Sequence, residues 1–333
     1  MVRTTEQPGQ HPFRSYWERP QTRPPVNTRQ DIIAALAYFD LFDYPLTQAE
    51  IRQFAPGTHT ARAVAQELRA LLTEKLVYHY DGLFLLRDEP ALVPRRRKGN
   101  QQARVLLQKA TRVARIISAF PFVRGVAVSG SLSKNYADEG SDIDLFIITA
   151  PNRLWLARTL LHGLKKLSFL VGREQYFCMN YFIDEAGLEI REKNIYTATE
   201  IATLLPLQGS AAFDAFFRAN NWSLGFLPNH RLRVSYVQDQ KPMWWTRLLE
   251  RSLHHAAGNA LDTTLQRITA GRWKKKTDAG RRNNRGIVLS MEAGKHFAKP
   301  DPRRFQAQLL ARYDNRICEL QSPLLKTYSP ARS

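Results

Sequence analysis

A segment in the middle of the chain combines residue types that suit phosphate and metal chemistry. An apolar run typical of a strand ends at Gly130 and Ser131, and after ten intervening residues Asp142 and Asp144 open a second apolar run. Side chains two residues apart on a strand point to the same face, and two carboxylates there are costly unless a cation compensates their charge. Oxygen ligands suit Mg²⁺, and a glycine lets the backbone approach a phosphate while the serine adds a hydroxyl. The segment therefore predicts a site for magnesium and phosphate.

The glycine, the serine and the Asp-x-Asp in this order resemble the nucleotidyltransferase superfamily of the DNA polymerase β-like fold. The resemblance implies that Asp142 and Asp144 hold two Mg²⁺ ions and that the substrate is a nucleoside triphosphate (NTP). It also implies that Gly130 and Ser131 hold the β- and γ-phosphates. Lys134 is a further candidate for nucleotide binding, although a solvated helix residue is an equally good interpretation. No Walker A sequence is present in the chain.

The chain departs from this family at the third carboxylate, which catalytic members usually carry on a later strand. Within residues 176–184 the polar residue in the middle of the strand pattern is Asn180, Asp184 lies at the strand end, and Glu189 lies in the next apolar run. Any of the three could complete the site. Asn180 is the preferred candidate catalytic residue because it is the one polar residue in the apolar run 177–183. It either offers its carbonyl oxygen to a metal or is a buried amide bonded to backbone.

The elements around this segment predict a nucleotidyltransferase α/β domain over residues 91–196. Helical spacing ends at Pro121, and Pro151 opens a second amphipathic pattern. The predicted elements are a helix over 97–120, strands over 123–129 and 142–149, a helix over 151–171, a strand over 176–183 and a short strand over 188–190.

The region before this domain predicts a winged helix-turn-helix over residues 29–90, preceded by a Pro-rich disordered tail over residues 1–28. Three helical patterns are followed by Asp81-Gly82 between two β-rich runs, which is a strong hairpin signal. The polar face of the third helix carries Arg62, Gln66 and Arg69, which are candidate nucleic-acid-binding residues. Contact with a protein or packing against the next domain is the other interpretation of this unit.

Residues 197–333 predict a mostly helical C-terminal domain with a basic segment at 272–285. The expected class of the whole chain is therefore α+β, with an α/β domain between two mainly helical regions. The helical windows are 198–205, 210–219, 243–269 and 304–320, and a lone strand is predicted over 286–291.

Composition sets the expected partners and compartment. The chain has 333 residues and a formal net charge of +19, and a positive excess of this size favours polyanions such as nucleic acid or nucleotide phosphates. Two cysteines exclude a disulfide framework, and no stretch is apolar enough to predict a membrane span or a secretory signal. A cytoplasmic protein is expected. The sequence does not indicate an oligomeric state.

The sequence thus predicts a Mg²⁺-dependent nucleotidyltransferase that transfers NMP from an NTP to an unidentified acceptor and releases pyrophosphate. The winged helix and the basic surfaces would present the acceptor or bind nucleic acid. The alternative is a DNA-binding regulator whose nucleotidyltransferase-like domain senses nucleotide without catalysis.

Overall fold

Three helices and a short hairpin form the first part of the chain, in the predicted order. The computed structural model describes residues 27–169, 176–230, 239, 243–280, 291–300 and 303–327. Most of the predicted disordered tail, residues 1–26, lies outside the described residues. The first elements are α1 (Thr28–Asp40), α2 (Gln48–Phe54), α3 (Ala61–Thr73), β1 (Tyr78–Tyr80) and β2 (Leu83–Leu85).

Local signals account for the turns of this unit. The Thr47 side chain accepts the N–H of Glu50, and the Glu50 carboxylate accepts the N–H of Thr47, so a complete capping box begins α2. Asp81 and Gly82 both have positive φ, 50° and 81°, as a type I′ hairpin turn requires.

The central region alternates helices with strands. It comprises α4 (Leu92–Ser118), β3 (Val123–Val128), α5 (Gly130–Ser133), β4 (Asp144–Thr149), α6 (Leu154–Phe169) and β5 (Cys178–Asp184). Helix α4 begins five residues before the predicted start, because Pro94 lies in its first turn, where a missing N–H costs no helical hydrogen bond. Strand β4 begins two residues later than predicted, so Asp142 lies in the preceding loop.

The remaining elements are mostly helices, with three strands among them. They are α7 (Ile195–Thr203), β6 (Leu205–Gln208), α8 (Ser210–Ala219), a 3-10 helix (Asn221–Gly225), α9 (Trp244–Ser252), α10 (Ala256–Asp278), β7 (Met291–Ala293), β8 (Phe297–Pro300) and α11 (Arg303–Thr327).

One six-stranded sheet organises the centre of the molecule. Its strand order is β6-β3-β4-β5-β8-β7, and β4 and β5 are its parallel pair. Alternate strand residues point to two buried layers: Val126 and Ile147 pack with α4, α6 and α10, whereas Ala127 and Phe146 pack with α7 and α8. Helices cover both faces of the sheet. Polar side chains can therefore meet at the ends of its strands.

Several expectations for the second half of the chain were wrong in detail. Residues 188–190 do not form a strand, the helical window 198–205 ends in strand β6, and the window 243–269 is divided between α9 and α10. Strand β8 was not predicted. Residues 286–290 of the predicted lone strand and 281–285 of the basic segment lie outside the described residues.

Contacts also cross the predicted boundary at residue 196. Strands β6, β7 and β8 complete the central sheet, and α11 packs on α1, where the Tyr313 hydroxyl donates to the Ala34 carbonyl at 3.3 Å. The division into domains stays a prediction. In the described ranges, no helix is both long and apolar enough to cross a membrane.

Candidate active site

The Gly-Ser turn and the Asp-x-Asp segment meet at one edge of the sheet. Strand β3 is antiparallel to β4, so the end of β3 adjoins the start of β4, and the Ser129 N–H donates to the Asp144 carbonyl at 2.9 Å. Strand β5 is parallel to β4, and Cys178 lies opposite Asp144. Three strand ends therefore converge here, which we call the site edge.

Gly130 lies directly against the carboxylate of Asp144. Its φ is +69°, and a Cβ built on it would lie 2.8 Å from Oδ2 of Asp144. A positive φ favours glycine, and any other residue here would have to displace the Asp144 carboxylate. The turn thus brings a bare stretch of backbone next to a carboxylate, a space that any other residue would fill.

Asp142 and Asp144 flank a buried residue. Ile143 is fully buried, Asp142 is exposed and Asp144 is half-buried, so the alternation of the strand continues into the loop. Burial and the charge of Asp144 raise the pKa of the Cys178 thiol to about 11, and Asp142 contributes in the same direction. Both carboxylates are therefore close enough to act on one thiol at the site edge.

Asn180 reaches the same carboxylate from a β-bulge. Leu145 pairs with Met179 and Phe146 pairs with Tyr181, so Asn180 is the extra residue on β5. Its amide Nδ2 donates to Oδ1 of Asp144 at 2.5 Å, and its Oδ1 accepts the Cys178 thiol at 3.2 Å. Bulges often re-aim a side chain beside an active site.

The other two candidates for the third carboxylate lie elsewhere. Asp184 pairs with Thr149 at the far end of β4 and β5, about 16 Å along the strands from Asp144 at the usual rise per residue. Glu189 is exposed in the following loop and forms an ion pair with Lys193 at 2.7 Å. Of the three alternatives, Asn180 alone is brought to Asp144.

Lys134 is held by a glutamate that the sequence did not suggest. Its Nζ donates to the Gly130 carbonyl at 3.1 Å and to Oε1 of Glu200, on α7, at 2.7 Å. Ser131 is exposed at the start of α5. Burial, Glu200 and then Asp144 raise the pKa of Tyr196, which places these carboxylates near one phenol. No spacing signal connects Glu200 to the Asp-x-Asp segment, so sequence reasoning could not find it.

The first helical unit contacts the turn through a different surface from α3. The Tyr44 hydroxyl donates to the Lys134 carbonyl at 3.1 Å, and the Tyr44 ring packs on Tyr136 at 5.7 Å between centroids. The candidate nucleic-acid-binding residues on α3 are all exposed, and they are Arg62, Gln66 and Arg69. The opposite face of α3 is buried against α1 and α2.

Comparison with known families supports the nucleotidyltransferase superfamily. The model of the nucleotidyltransferase domain family matches residues 111–204, which is 94 of 333 residues and contains every element of the site edge. The match supports transfer of a nucleotide group at the level of the family. No curated protein and no solved structure matched the chain.

The donor set at the site edge fits a metal–nucleotide complex better than a metal alone. Among the residues that the structure describes, no three His, Cys, Asp or Glu side chains are grouped to hold an ion. Mg²⁺ is usually bound through one or two carboxylates together with substrate phosphates, not by a cage of protein ligands. Asp142 and Asp144, with the space at Gly130, match that pattern.

Proposed function

We propose that this protein is a Mg²⁺-dependent nucleotidyltransferase that transfers NMP from an NTP to an acceptor hydroxyl or phosphate and releases pyrophosphate. The observation that carries the proposal is the contact between Gly130 and the Asp144 carboxylate inside the segment that matches the family. The acceptor oxygen forms a bond to the α-phosphorus while the bond from that phosphorus to the bridging oxygen of pyrophosphate breaks. A hydroxyl acceptor loses its proton to solvent.

The chain's own residues position this reaction. Asp142 and Asp144 would hold two Mg²⁺ ions, and Asn180 would have to turn its amide to present Oδ1. The bound ions would neutralise the triphosphate and activate the acceptor oxygen. The Gly130 backbone and the Ser131 hydroxyl would bind the β- and γ-phosphates. Holding the reactants in line lowers the barrier because orientation entropy is spent in binding.

Lys134 has a conditional role in this proposal. Its ammonium group donates to Glu200 and to the Gly130 carbonyl, so it supports the turn. To contact the triphosphate, the Lys134 ammonium group would have to release the Glu200 carboxylate and bind a phosphate oxygen in its place. Lys134 is therefore a nucleotide-binding candidate that also has a structural role.

Ligand-induced stabilisation tests the site without knowledge of the acceptor. A ligand that binds only the native state raises its stability by mass action. Mg²⁺ and NTP added together should raise the melting temperature of the wild-type protein, and Asp142→Asn with Asp144→Asn should lose that rise while remaining folded. An equal rise in the double variant would overturn the assignment of these ligands.

The hydrogen bond between Asn180 and Asp144 favours a second candidate function. An amide occupies the position expected for a third carboxylate, so the domain would bind nucleotide without transferring it, and the first helical unit would bind DNA. The pairing of Leu46 with Phe84 adds a third strand segment to the hairpin, which supports a winged helix.

DNA binding by α3 distinguishes this second candidate. Arg62→Ala with Arg69→Ala should weaken binding to duplex DNA and reduce its salt dependence, because each lost phosphate contact releases about one counterion fewer. Unchanged affinity and salt dependence would assign the unit to protein contact. A wild-type protein that binds NTP but transfers it to nothing in a cell extract would support the sensor.

A further inference from the structure

Helix α9 carries large apolar side chains on the face that points away from the protein. Trp244 is 76% exposed, the largest exposed fraction among the large apolar side chains that the structure describes, and Leu248 is 62% exposed. Side chains four residues apart lie on the same face of a helix, so these two form one patch. Met243, just before the helix, is exposed as well. Single exposed apolar residues are ordinary, but a group of them on one face indicates a contact surface.

Contacts with the rest of the protein fix the orientation of α9. Leu249 packs against the buried cluster that contains Phe122. The Glu250 carboxylate accepts the Phe122 N–H at 2.6 Å and pairs with the Arg124 guanidinium at 2.9 Å. The helix therefore cannot turn its exposed apolar side chains inward without breaking these contacts.

Two arginines share the outward face of α9 with the apolar side chains. Arg247 and Arg251 are exposed, and each follows an apolar residue of the patch by three positions. Glu250 is the one acid in the sequence of α9, and its carboxylate points inward. The outward face is therefore apolar and cationic without a carboxylate. We call Trp244, Arg247, Leu248 and Arg251 the α9 face.

Charge and apolar surface together select what covers the α9 face. A second copy of the chain on a two-fold axis would bring the same arginines against each other, and like charges repel. A nucleic acid would match the arginines, but its phosphates offer nothing to Leu248 and Met243. The boundary of a bilayer that contains anionic lipids matches both kinds of side chain. Tryptophan and aliphatic groups suit the level between headgroups and acyl chains, and the long arginine stems let the guanidinium groups reach lipid phosphates.

We propose that the α9 face docks this protein onto the surface of a bilayer that contains anionic phospholipids. Trp244 and Leu248 enter the boundary between headgroups and acyl chains, and Arg247 and Arg251 contact lipid phosphates. This contact involves one surface of the bilayer and requires no helix that spans it. The proposal does not depend on nucleotide transfer.

The α9 face and the site edge lie at opposite ends of the central sheet. Phe122, which α9 contacts, directly precedes β3, and its carbonyl accepts the Ala150 N–H at 2.7 Å, just after the end of β4. Helix α9 therefore contacts the far end of the strands, whereas the site edge is formed where β3 ends and β4 begins. Docking on lipid and binding of nucleotide thus use separate surfaces.

Binding to lipid vesicles tests the proposal. The full-length protein is mixed with vesicles of phosphatidylcholine alone, or of phosphatidylcholine with one third phosphatidylglycerol. Flotation measures the bound fraction over a range of lipid and salt concentrations. The wild-type protein should bind the anionic vesicles at least about tenfold more tightly than the neutral ones, and added salt should weaken this binding.

Two variants separate the apolar contribution from the cationic one. Trp244→Ser with Leu248→Ser should weaken binding to anionic vesicles at least about tenfold, because the burial of these side chains drives insertion. Arg247→Gln with Arg251→Gln should weaken that binding about tenfold and reduce its salt dependence, but should change binding to phosphatidylcholine by less than about twofold. All four residues are exposed, so both variants should keep the wild-type melting temperature.

Matched controls alter similar exposed side chains elsewhere in the chain. The apolar control is Leu167→Ser with Phe305→Ser, on α6 and α11, and the charge control is Arg218→Gln with Arg312→Gln, on α8 and α11. Each control should bind the anionic vesicles within about twofold of the wild-type protein.

Three results would overturn the proposal: no binding of the wild-type protein to anionic vesicles, equal binding by the wild type and both α9 variants, or equal losses in the α9 and control variants. If vesicle binding is absent while Trp244→Ser with Leu248→Ser dissociates a dimer or weakens binding to an oligonucleotide, the α9 face contacts a second copy or a nucleic acid instead. Stabilisation by Mg²⁺ and NTP is measured without lipid, so neither test decides the other.

Discussion

The two ends of the β4–β5 strand pair each carry an aspartate, and the two aspartates differ in burial and in hydrogen bonding. At the site edge, Asp144 is half-buried beside a glycine and accepts an amide N–H from Asn180. At the far end, Asp184 is fully buried, accepts backbone N–H groups from Asn152 at 2.9 Å and Ala186 at 3.0 Å, and lies 3.0 Å from Nδ1 of His296.

This difference separates a structural carboxylate from a candidate functional one. The hydrogen bonds to Asp184 join the turn before α6 to the turn after β5 and to the β7–β8 hairpin, so its charge stabilises three segments at once. Asp144 instead shares its edge with the Asp142 carboxylate and a turn in which a side chain has no room. Carboxylates that share one end of a sheet are favoured by a cation, which is the arrangement that the proposed function requires.

The largest effect should come from Asp144→Asn, measured as nucleotide transfer. Loss of one positioned charge in an active site typically costs about 10²–10³-fold in rate, and loss of a metal ligand should cost at least that. The free energy of unfolding should change by less than about 1 kcal/mol, because the side chain is not deeply buried. Transfer of label from an α-labelled NTP into a cell extract measures the rate.

The matched control is Glu139→Gln, an exposed acid in the loop between α5 and β4 that pairs with Lys98 at 2.5 Å. It should leave transfer unchanged. If Asp144→Asn and wild type transfer nucleotide equally well, Asp144 is not a functional carboxylate.

Asp184→Asn should show the reverse behaviour. Breaking a buried, charge-assisted hydrogen-bond network typically costs about 3 kcal/mol, so the denaturant midpoint should fall strongly. Transfer per folded molecule should stay within about twofold of wild type, because Asp184 lies at the other end of the strands. A variant that unfolds at the wild-type midpoint but has lost transfer would show that the far end takes part in the chemistry.

The sequence was informative where a short pattern determines the structure. The apolar runs on either side of the Gly-Ser turn predicted strands β3 and β4, and Asp81-Gly82 predicted the hairpin turn. These features depend on neighbours in sequence, so a single chain is enough to recognise them.

The sequence was less informative where distant segments determine the structure. Strand β6 contains Pro206, and a proline at this position indicates the end of a helix. The segment instead forms an edge strand because it pairs with β3. The bulge at Asn180 depends on its register with β4, and the ion pair of Glu200 with Lys134 joins residues 66 apart. No local pattern specifies these pairings.

Replacement of Asn180 should sharpen the assignment of the site edge. Asn180→Ala should abolish transfer but leave stabilisation by Mg²⁺ and NTP, because the acceptor side depends on this residue more than nucleotide binding does. Asn180→Asp should retain or raise transfer, since it restores the carboxylate typical of the family. Transfer at saturating NTP distinguishes the variants, with Glu189→Gln as the control.

Asn180→Asp should affect the stability of the protein less than Asp184→Asn does. A carboxylate at position 180 would face Asp144, and the repulsion should lower the free energy of unfolding by about 1 kcal/mol without metal and by less with Mg²⁺ and NTP. If Asn180→Ala transfers as well as wild type while Glu189→Gln is inactive, the third ligand is Glu189 and the role given to Asn180 is wrong.

The smallest expected effect concerns Asp262, a second buried acid near the far end. Its side chain is 6% exposed, accepts the Leu156 N–H at the start of α6 and lies near Arg153. Burial raises its pKa to about 6, above the ordinary value of 3.8. The folded protein therefore holds this proton more tightly than the unfolded chain does, so the contribution is fully present below about pH 4 and is lost as pH rises through about 6.

Asp262→Asn tests this sign, because an amide keeps the acceptor oxygen for Leu156 and cannot ionise. We expect the variant to unfold with a free energy higher than wild type by about 1 kcal/mol at pH 8, after allowance for solvent screening, and to lose the advantage near pH 4. Denaturant unfolding from pH 4 to 8 measures the difference. A variant that is less stable than wild type at pH 8 would mean that the ionised Asp262 stabilises the start of α6, with Arg153 outweighing the cost of burial.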